Sequence, residues 1–178
     1  VTPTTAQADP ALAWNGNQYA VAWDQNRNGT ILVTELDASG NVQSHDIYSG
    51  DSGPDSYPAI AWSRNAGYYA LVYQVKNVSN QFVIASNLVQ ANGTLIPGTV
   101  VVMGPKDSTR PALADSGGDL GLSWTDTRDG NQEIYFGMLN PFSDYLDYNN
   151  GVNLTNEVHG QDVSSVVWTG GEFGVFWQ

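Results

Sequence analysis

The sequence predicts an all-β chain folded as a run of β-propeller blades, about 3.5 four-stranded antiparallel sheets in 178 residues. Three observations predict it. The stretch Pro10-Ala11-Leu12-Ala13-Trp14 recurs as Pro58-Ala59-Ile60-Ala61-Trp62, as Pro111-Ala112-Leu113-Ala114-Asp115 and, more faintly, as Ser164-Ser165-Val166-Val167-Trp168, at intervals of 48, 53 and 53 residues. All six tryptophans fall at two places in that unit: Trp14, Trp62 and Trp168 at the first, Trp23, Trp124 and Trp177 at the second. Bulky and small residues alternate with a period of two, which is the spacing of strands and not of helices.

The elements follow in order from the start of each unit. A first strand opens at the proline, or at Ser164 in the last copy. A Gly-bearing turn leads to a second strand: Tyr19 to Trp23, Tyr69 to Tyr73, Leu120 to Trp124 and Phe173 to Trp177. Tyr19, Val21 and Trp23 share one face and Ala20 and Ala22 the other, so each sheet has a bulky side and a shaved side that fit one another in a stack. Asn28-Gly29 and Asp129-Gly130 mark the next hairpin, because these dipeptides tolerate the positive φ that tight turns need. Third strands are expected over Ile31 to Leu36, Phe82 to Leu88 and Glu133 to Leu139. Weaker fourth strands are expected around Asp46 to Ser49, Thr99 to Met103 and Gly151 to Thr155. Almost no helix is expected, since no segment sustains a helical period.

Residues 1–178 read as one propeller segment whose last repeat is truncated. Val1 aligns with Val102 near the end of a fourth strand, and Gln178 falls just past a second strand. A half blade leaves a strand edge bare and a bulky face wet, so the missing strands are expected from the rest of a longer chain, a proteolytic fragment or a second copy. A self-closed four-bladed ring is the alternative.

Composition narrows the partners. Six Lys and Arg against 18 Asp and Glu give a formal charge of −12, which repels nucleic acid and anionic lipid. No apolar run approaches the roughly 20 residues of a spanning helix. The absence of cysteine removes disulfides and thiolate chemistry together. Sparse Lys with abundant Asn, Gly, Ser and Thr favours an extracellular or cell-surface protein.

The run Trp124-Thr125-Asp126-Thr127-Arg128-Asp129-Gly130-Asn131-Gln132-Glu133-Ile134-Tyr135 resembles the Asp-Gly-Asn-x-Glu-Ile-Tyr unit of TolB-like, WD40-like propeller repeats of bacterial extracellular proteins. That resemblance implies a propeller used as a binding platform. Gly117 to Trp124 is also similar to the Asp-box turn of sialidase-type propellers, with Gly117 in place of its Ser and Ser123 in place of its Thr. That turn is structural, so it implies nothing about hydrolysis.

Candidate sites are few. Asp126, Asp129, Asn131 and Glu133 together suggest calcium, a hard cation that takes several oxygens from one loop, although an EF-type spacing is absent. Hairpin-turn chemistry, with Arg128 balancing its acidic neighbours, accounts for the same residues. Asp115 breaks the first tryptophan series and is a candidate ligand contact. Phe142, Tyr145 and Tyr148 lie in a loop-rich stretch outside the core positions and suit stacking on a ligand. His45 and His159 have no nucleophile partner and read as surface residues. Arg27, Arg64, Arg110 and Arg128 occupy different places in the repeat, against a shared anion pocket. The functional expectation is a non-enzymatic extracellular module that presents loops to a protein or glycan, with no catalytic residue assigned. The alternative is a glycoside hydrolase using carboxylates near the central channel.

Overall fold

The computed structural model describes residues 6–25, 30–43, 55–140, 142 and 151–178, with the backbone alone of 47–49 and 145–146. The alternating segments form strands throughout. The first sheet is β1 (Gln7–Trp14), β2 (Gln18–Gln25), β3 (Thr30–Asp37) and β4 (Ile47–Ser49), hydrogen-bonded in that order. The second is β5 (Ser56–Ser63), β6 (Tyr68–Lys76), β7 (Phe82–Gln90) and β8 (Leu95–Val102). The third is β9 (Ser108–Asp115), β10 (Leu120–Asp126) and β11 (Glu133–Asn140), with β12 (Tyr145–Leu146) and β13 (Val152–Asn153) pairing at the two ends of β11. The last is the two-stranded β14 (Ser165–Trp168) and β15 (Phe173–Phe176). All pairings are antiparallel, and no helix occurs among the described residues. The Asn28-Gly29 turn lies outside the described residues. Gly130 does take the left-handed backbone expected of it, with φ of 111°.

Side-chain size explains how the sheets stack. Ala11, Ala13, Ala20 and Ala22 of the first sheet receive Ile60, Trp62, Tyr69, Leu71 and Tyr73 of the second. Ala59, Ala61, Ala70 and Val72 of the second receive Leu113, Leu120, Leu122 and Trp124 of the third. Between third and fourth the fit is closest at Gly121, where an added Cβ would lie 2.6 Å from the Phe173 ring. Burying an aromatic or aliphatic side chain in this way contributes about 1.5–3 kcal/mol each, before cavity effects.

The tryptophans follow the same logic and depart from expectation only at the ends. Trp124 is fully buried, whereas Trp14 is 43% and Trp177 46% exposed. Trp14 belongs to the bulky face of the first sheet, which no described sheet covers; Leu12 on that face is 61% exposed. Beside it an apolar groove of about 250 Å³ is lined by Gln7, Ala8, Pro10, Val21 and Trp23.

Candidate active site

The first strand of each of the three larger sheets is broken at the same point. Register shifts between Ala8 and Ala11, between Ser56 and Ala59, and opposite Ser123 to Thr125, so each of β1, β5 and β9 bulges just before or at its proline. Proline explains the location, because it has no N–H to give a ladder and is tolerated in sheets at strand starts and bulges. The preceding residue takes the left-handed backbone each time: Asp9 at φ 49°, Tyr57 at 52° and Arg110 at 51°, and Val163 ahead of β14 matches them at 50°. Such a conformation costs about 1–3 kcal/mol at a non-Gly residue, and a β-branched valine adopts it least readily. These four, with Pro10, Pro58, Pro111 and Ser164, line one cavity of about 520 Å³ where the first strands begin.

Neighbouring sheets hold the strained backbone in place. The Arg110 N–H donates to Gln74 Oε1 at 3.1 Å, across the sheet boundary. The Arg110 guanidinium pairs with the Asp162 carboxylate and lies 5.3 Å from the centre of the Tyr57 ring. Asp162 Oδ1 also accepts from Thr125 Oγ1 and from the Val163 N–H, both at 2.9 Å. Gln74 and Thr125 occupy the same place in their repeats, directly after Tyr73 and Trp124. Ser123 and Ser164 add a hydroxyl contact of 2.9 Å across the next boundary, between the third and fourth sheets. Among the described residues, the lining of this mouth thus includes one carboxylate, Asp9, one phenol, Tyr57, and a guanidinium, Arg110, that is neutralised by Asp162.

The acidic hairpin between β10 and β11 is separate and self-satisfied. Buried Asp126 accepts from Ser108 Oγ and Trp124 Nε1, each at 2.9 Å, and from Arg128 through its N–H at 2.9 Å, Nε at 2.8 Å and Nη2 at 2.6 Å. Burial pushes the Asp126 carboxyl up, but the bonds from Arg128, Trp124 and Ser108 outweigh it and hold its pKa below the ordinary carboxylate value. The bond to Asp126 raises Arg128 in turn. Asp129 accepts from the Tyr135 hydroxyl at 2.5 Å and from Asn153 Nδ2 at 2.7 Å, and burial followed by that Asp129 contact raises the Tyr135 phenol. Glu133 accepts from Asn131 Nδ2 at 2.8 Å, the Glu157 N–H at 3.0 Å and Thr155 Oγ1. The four residues suggested for calcium therefore sit in three hydrogen-bonded groupings. Among the described residues, no group of three or more His, Asp or Glu is placed to hold a metal ion.

The remaining sequence candidates scatter. Asp115 lies at the other end of β9, its Oδ2 accepting from Arg64 Nε at 2.6 Å. Phe142 is 65% exposed, and its N–H donates to Asn140 Oδ1 at 2.9 Å. The Tyr145 backbone pairs with Asn140 in β12, but its side chain, like Tyr148 and His45, lies outside the described residues. His159 is exposed. Sequence reasoning overlooked Asp9, Tyr57 and Val163, and took Arg110 only as an unmatched arginine. The available signal was the residue ahead of the repeat's proline, which varies in type and so attracts no notice.

No family model matches the sequence, and no curated protein matches it. Among solved structures the chain is similar to a GH43 endo-arabinanase from Bacillus licheniformis, with 16% identity and TM-score 0.60 over 95% of this chain and 64% of that one. It is similar to a thermostable family-43 glycoside hydrolase, with 12% identity and TM-score 0.68 over 99% of this chain and 65% of that one. A xylan beta-1,4-xylosidase from Bacillus halodurans C-125 follows, with 14% identity and TM-score 0.60 over 98% of this chain and 37% of that one. The chain thus spans just under two thirds of the length of the first two. At these identities the likeness is one of fold. It bears out the propeller, while the TolB-like and WD40-like repeat families find no counterpart in it. The functional expectation is corrected to this extent: the similar structures are glycoside hydrolases, which favours the hydrolase alternative over the non-enzymatic module.

Proposed function

We propose that this chain carries the axial mouth of a propeller glycoside hydrolase and that Asp9 is its catalytic carboxylate. The observation that supports the reading is the fourfold recurrence of left-handed backbone at Asp9, Tyr57, Arg110 and Val163, all lining one cavity. Strain repeated at one place and braced by Gln74 and Thr125 belongs to positions where side chains must be aimed. Hydrolysis of a glycosidic bond needs one carboxyl group that gives a proton to the leaving oxygen and a second, a carboxylate, that takes the proton from water or itself attacks the anomeric carbon. Asp9 supplies the second of these from the mouth. Asp162 does not compete for the role, because Arg110, Thr125 and the Val163 N–H all donate to it and keep it an acceptor. It is a positioning residue that holds Arg110, and through it Tyr57, at the rim. An extended polymer such as arabinan or xylan is the matching substrate class, and its size suits a protein that works outside the cell.

The test is release of reducing sugar from arabinan and arabinoxylan by the purified chain and its Asp9→Asn variant. A carboxylate acting as general base contributes about 10²–10⁴-fold, so Asp9→Asn should lose that factor in kcat with its melting temperature retained. Unchanged hydrolysis by Asp9→Asn, or none by the parent on either polymer, overturns the proposal.

A further inference from the structure

The first strands β1, β5 and β9 end at a second cavity, of about 570 Å³, lined by Leu12, Trp14, Ile60, Trp62, Arg64 and Asp115 among others. Asp9 and Trp14 stand five residues apart on β1, at most about 17 Å along the strand, and the two cavities share no lining residue, so they are distinct. We infer that this opposite mouth is a second, non-catalytic site for a neutral sugar ring, stacked on Trp62 and Trp14 and hydrogen-bonded by Arg64 and Asp115.

Three features of the cavity carry this. Its aromatic faces are fixed in advance: Trp62 packs at 4.8 Å against its cross-strand partner Tyr69, and Trp14 at 4.4 Å against Tyr19. Its polar groups are incomplete in a matched way. The Asp115 side chain is only 10% exposed, and its Oδ1 is buried with no hydrogen-bond partner. The other oxygen holds Arg64 Nε, and the terminal nitrogens of Arg64 make no hydrogen bond among the described residues. Arg64 lies over the turn at Gly117, where an added Cβ would come within 3.2 Å of Nη2. A buried acceptor without a partner calls for a donor, and the idle guanidinium nitrogens beside it call for an acceptor. Adjacent hydroxyls on one sugar ring are both at once, and the apolar face of that ring suits tryptophan. Arg64 and Asp115 cancel in charge, and the chain carries −12, which leaves an anionic ligand repelled and the neutral ring favoured. The repeat supports the same conclusion, since Asp115 stands where the other copies place Trp14, Trp62 and Trp168.

The site shares with the proposed hydrolase only its class of ligand and needs no turnover. The experiment is calorimetric titration of arabinohexaose and xylohexaose into the Asp9→Asn chain, then into the same chain carrying Arg64→Ala or Asp115→Asn. Saturable binding by Asp9→Asn, weakened at least tenfold by both further changes with the fold retained in circular dichroism, is the expected result. Should one of the two variants fail to fold, the other decides. Binding unaffected by either change, binding lost only with Tyr57→Ala at the bulged mouth, or no binding of either hexasaccharide overturns the inference. Hydrolysis by the parent chain is read separately. It stands or falls with Asp9 and is unmoved by Arg64→Ala on substrates too short to reach both mouths.

Discussion

At the bulged mouth the backbone repeats while the side chains differ: Asp9, Tyr57, Arg110 and Val163 share φ values of 49–52° and have no chemistry in common. At the opposite mouth the side chains repeat, Trp14, Trp62 and Trp168, and Asp115 alone departs from the series. Each end has thus escaped the sameness of the repeat by a different route. A strained backbone must be held by its neighbours, so the first mouth depends on residues in adjacent sheets. An exchanged side chain needs only room, so the second depends on the loss of one large ring. The two mouths should therefore fail under different substitutions.

The largest expected effect is at the bulged side. Asp126 holds Ser108, two residues before the Arg110 bulge, and is itself held by Arg128. Asp126→Asn leaves a largely buried guanidinium without its counter-charge, which costs about 3–5 kcal/mol when a buried pair loses one partner. For a domain of this size that is roughly a 6–20 °C fall in melting temperature by calorimetry. Hydrolysis measured well below that melting point should fall with it, and hexasaccharide binding at the opposite mouth should not. Next comes Gln74→Ala, which strips the acceptor from the Arg110 N–H and should cost about 1–3 kcal/mol by urea unfolding. Its kcat should drop further than stability accounts for, because the lost bond aims the bulge.

The difference between the mouths also decides what the amino-acid sequence could disclose. Strands, their faces and their stacking were legible because they reside in residue size: Ala20 and Ala22 against Tyr69 and Leu71 can be matched without coordinates. Asp115 was legible because it breaks a series of tryptophans. The bulge is not, since left-handed backbone at Asp, Tyr, Arg and Val has no signature in residue type, and a proline that recurs with the repeat reads as its marker and not as a sign of interrupted pairing. The acids from Asp126 to Glu133 were visible as a cluster, but Asn153, Thr155 and Glu157, which satisfy Asp129 and Glu133, come from a different stretch of chain. The functional expectation failed for a further reason: a propeller scaffold does not select binding over catalysis, and the strained mouth that bears on the choice was unseen.

A gain in stability sharpens the comparison from the other side. Val163 is 46% exposed and takes φ 50°, so Val163→Gly removes backbone strain and forfeits little packing. Part of that gain is offset by the extra freedom of glycine in the unfolded chain, leaving about 1 kcal/mol of net stabilisation. A melting temperature a few degrees higher with reduced kcat is the expected pairing, since strain that aims a side chain is useful only where the site works. The equivalent change at the opposite mouth has no strain to relieve.

Acid should produce the smallest effect. Asp126 titrates below the ordinary carboxylate value in the folded chain, so its charge stabilises the fold fully above the unfolded value of about 4. That contribution is lost as pH falls through the lower folded value. Protonation removes the charge but leaves both carboxyl oxygens in place, whereas Asp126→Asn also sets an N–H donor against the donors of Arg128, so the loss in acid is the smaller of the two. Unfolding free energy measured from pH 6 to pH 2 should decline below about pH 4 more steeply in the parent chain than in Asp126→Asn. Equal slopes in the two proteins would mean that the acid sensitivity comes from other carboxylates, and that Arg128 holds Asp126 by geometry more than by charge.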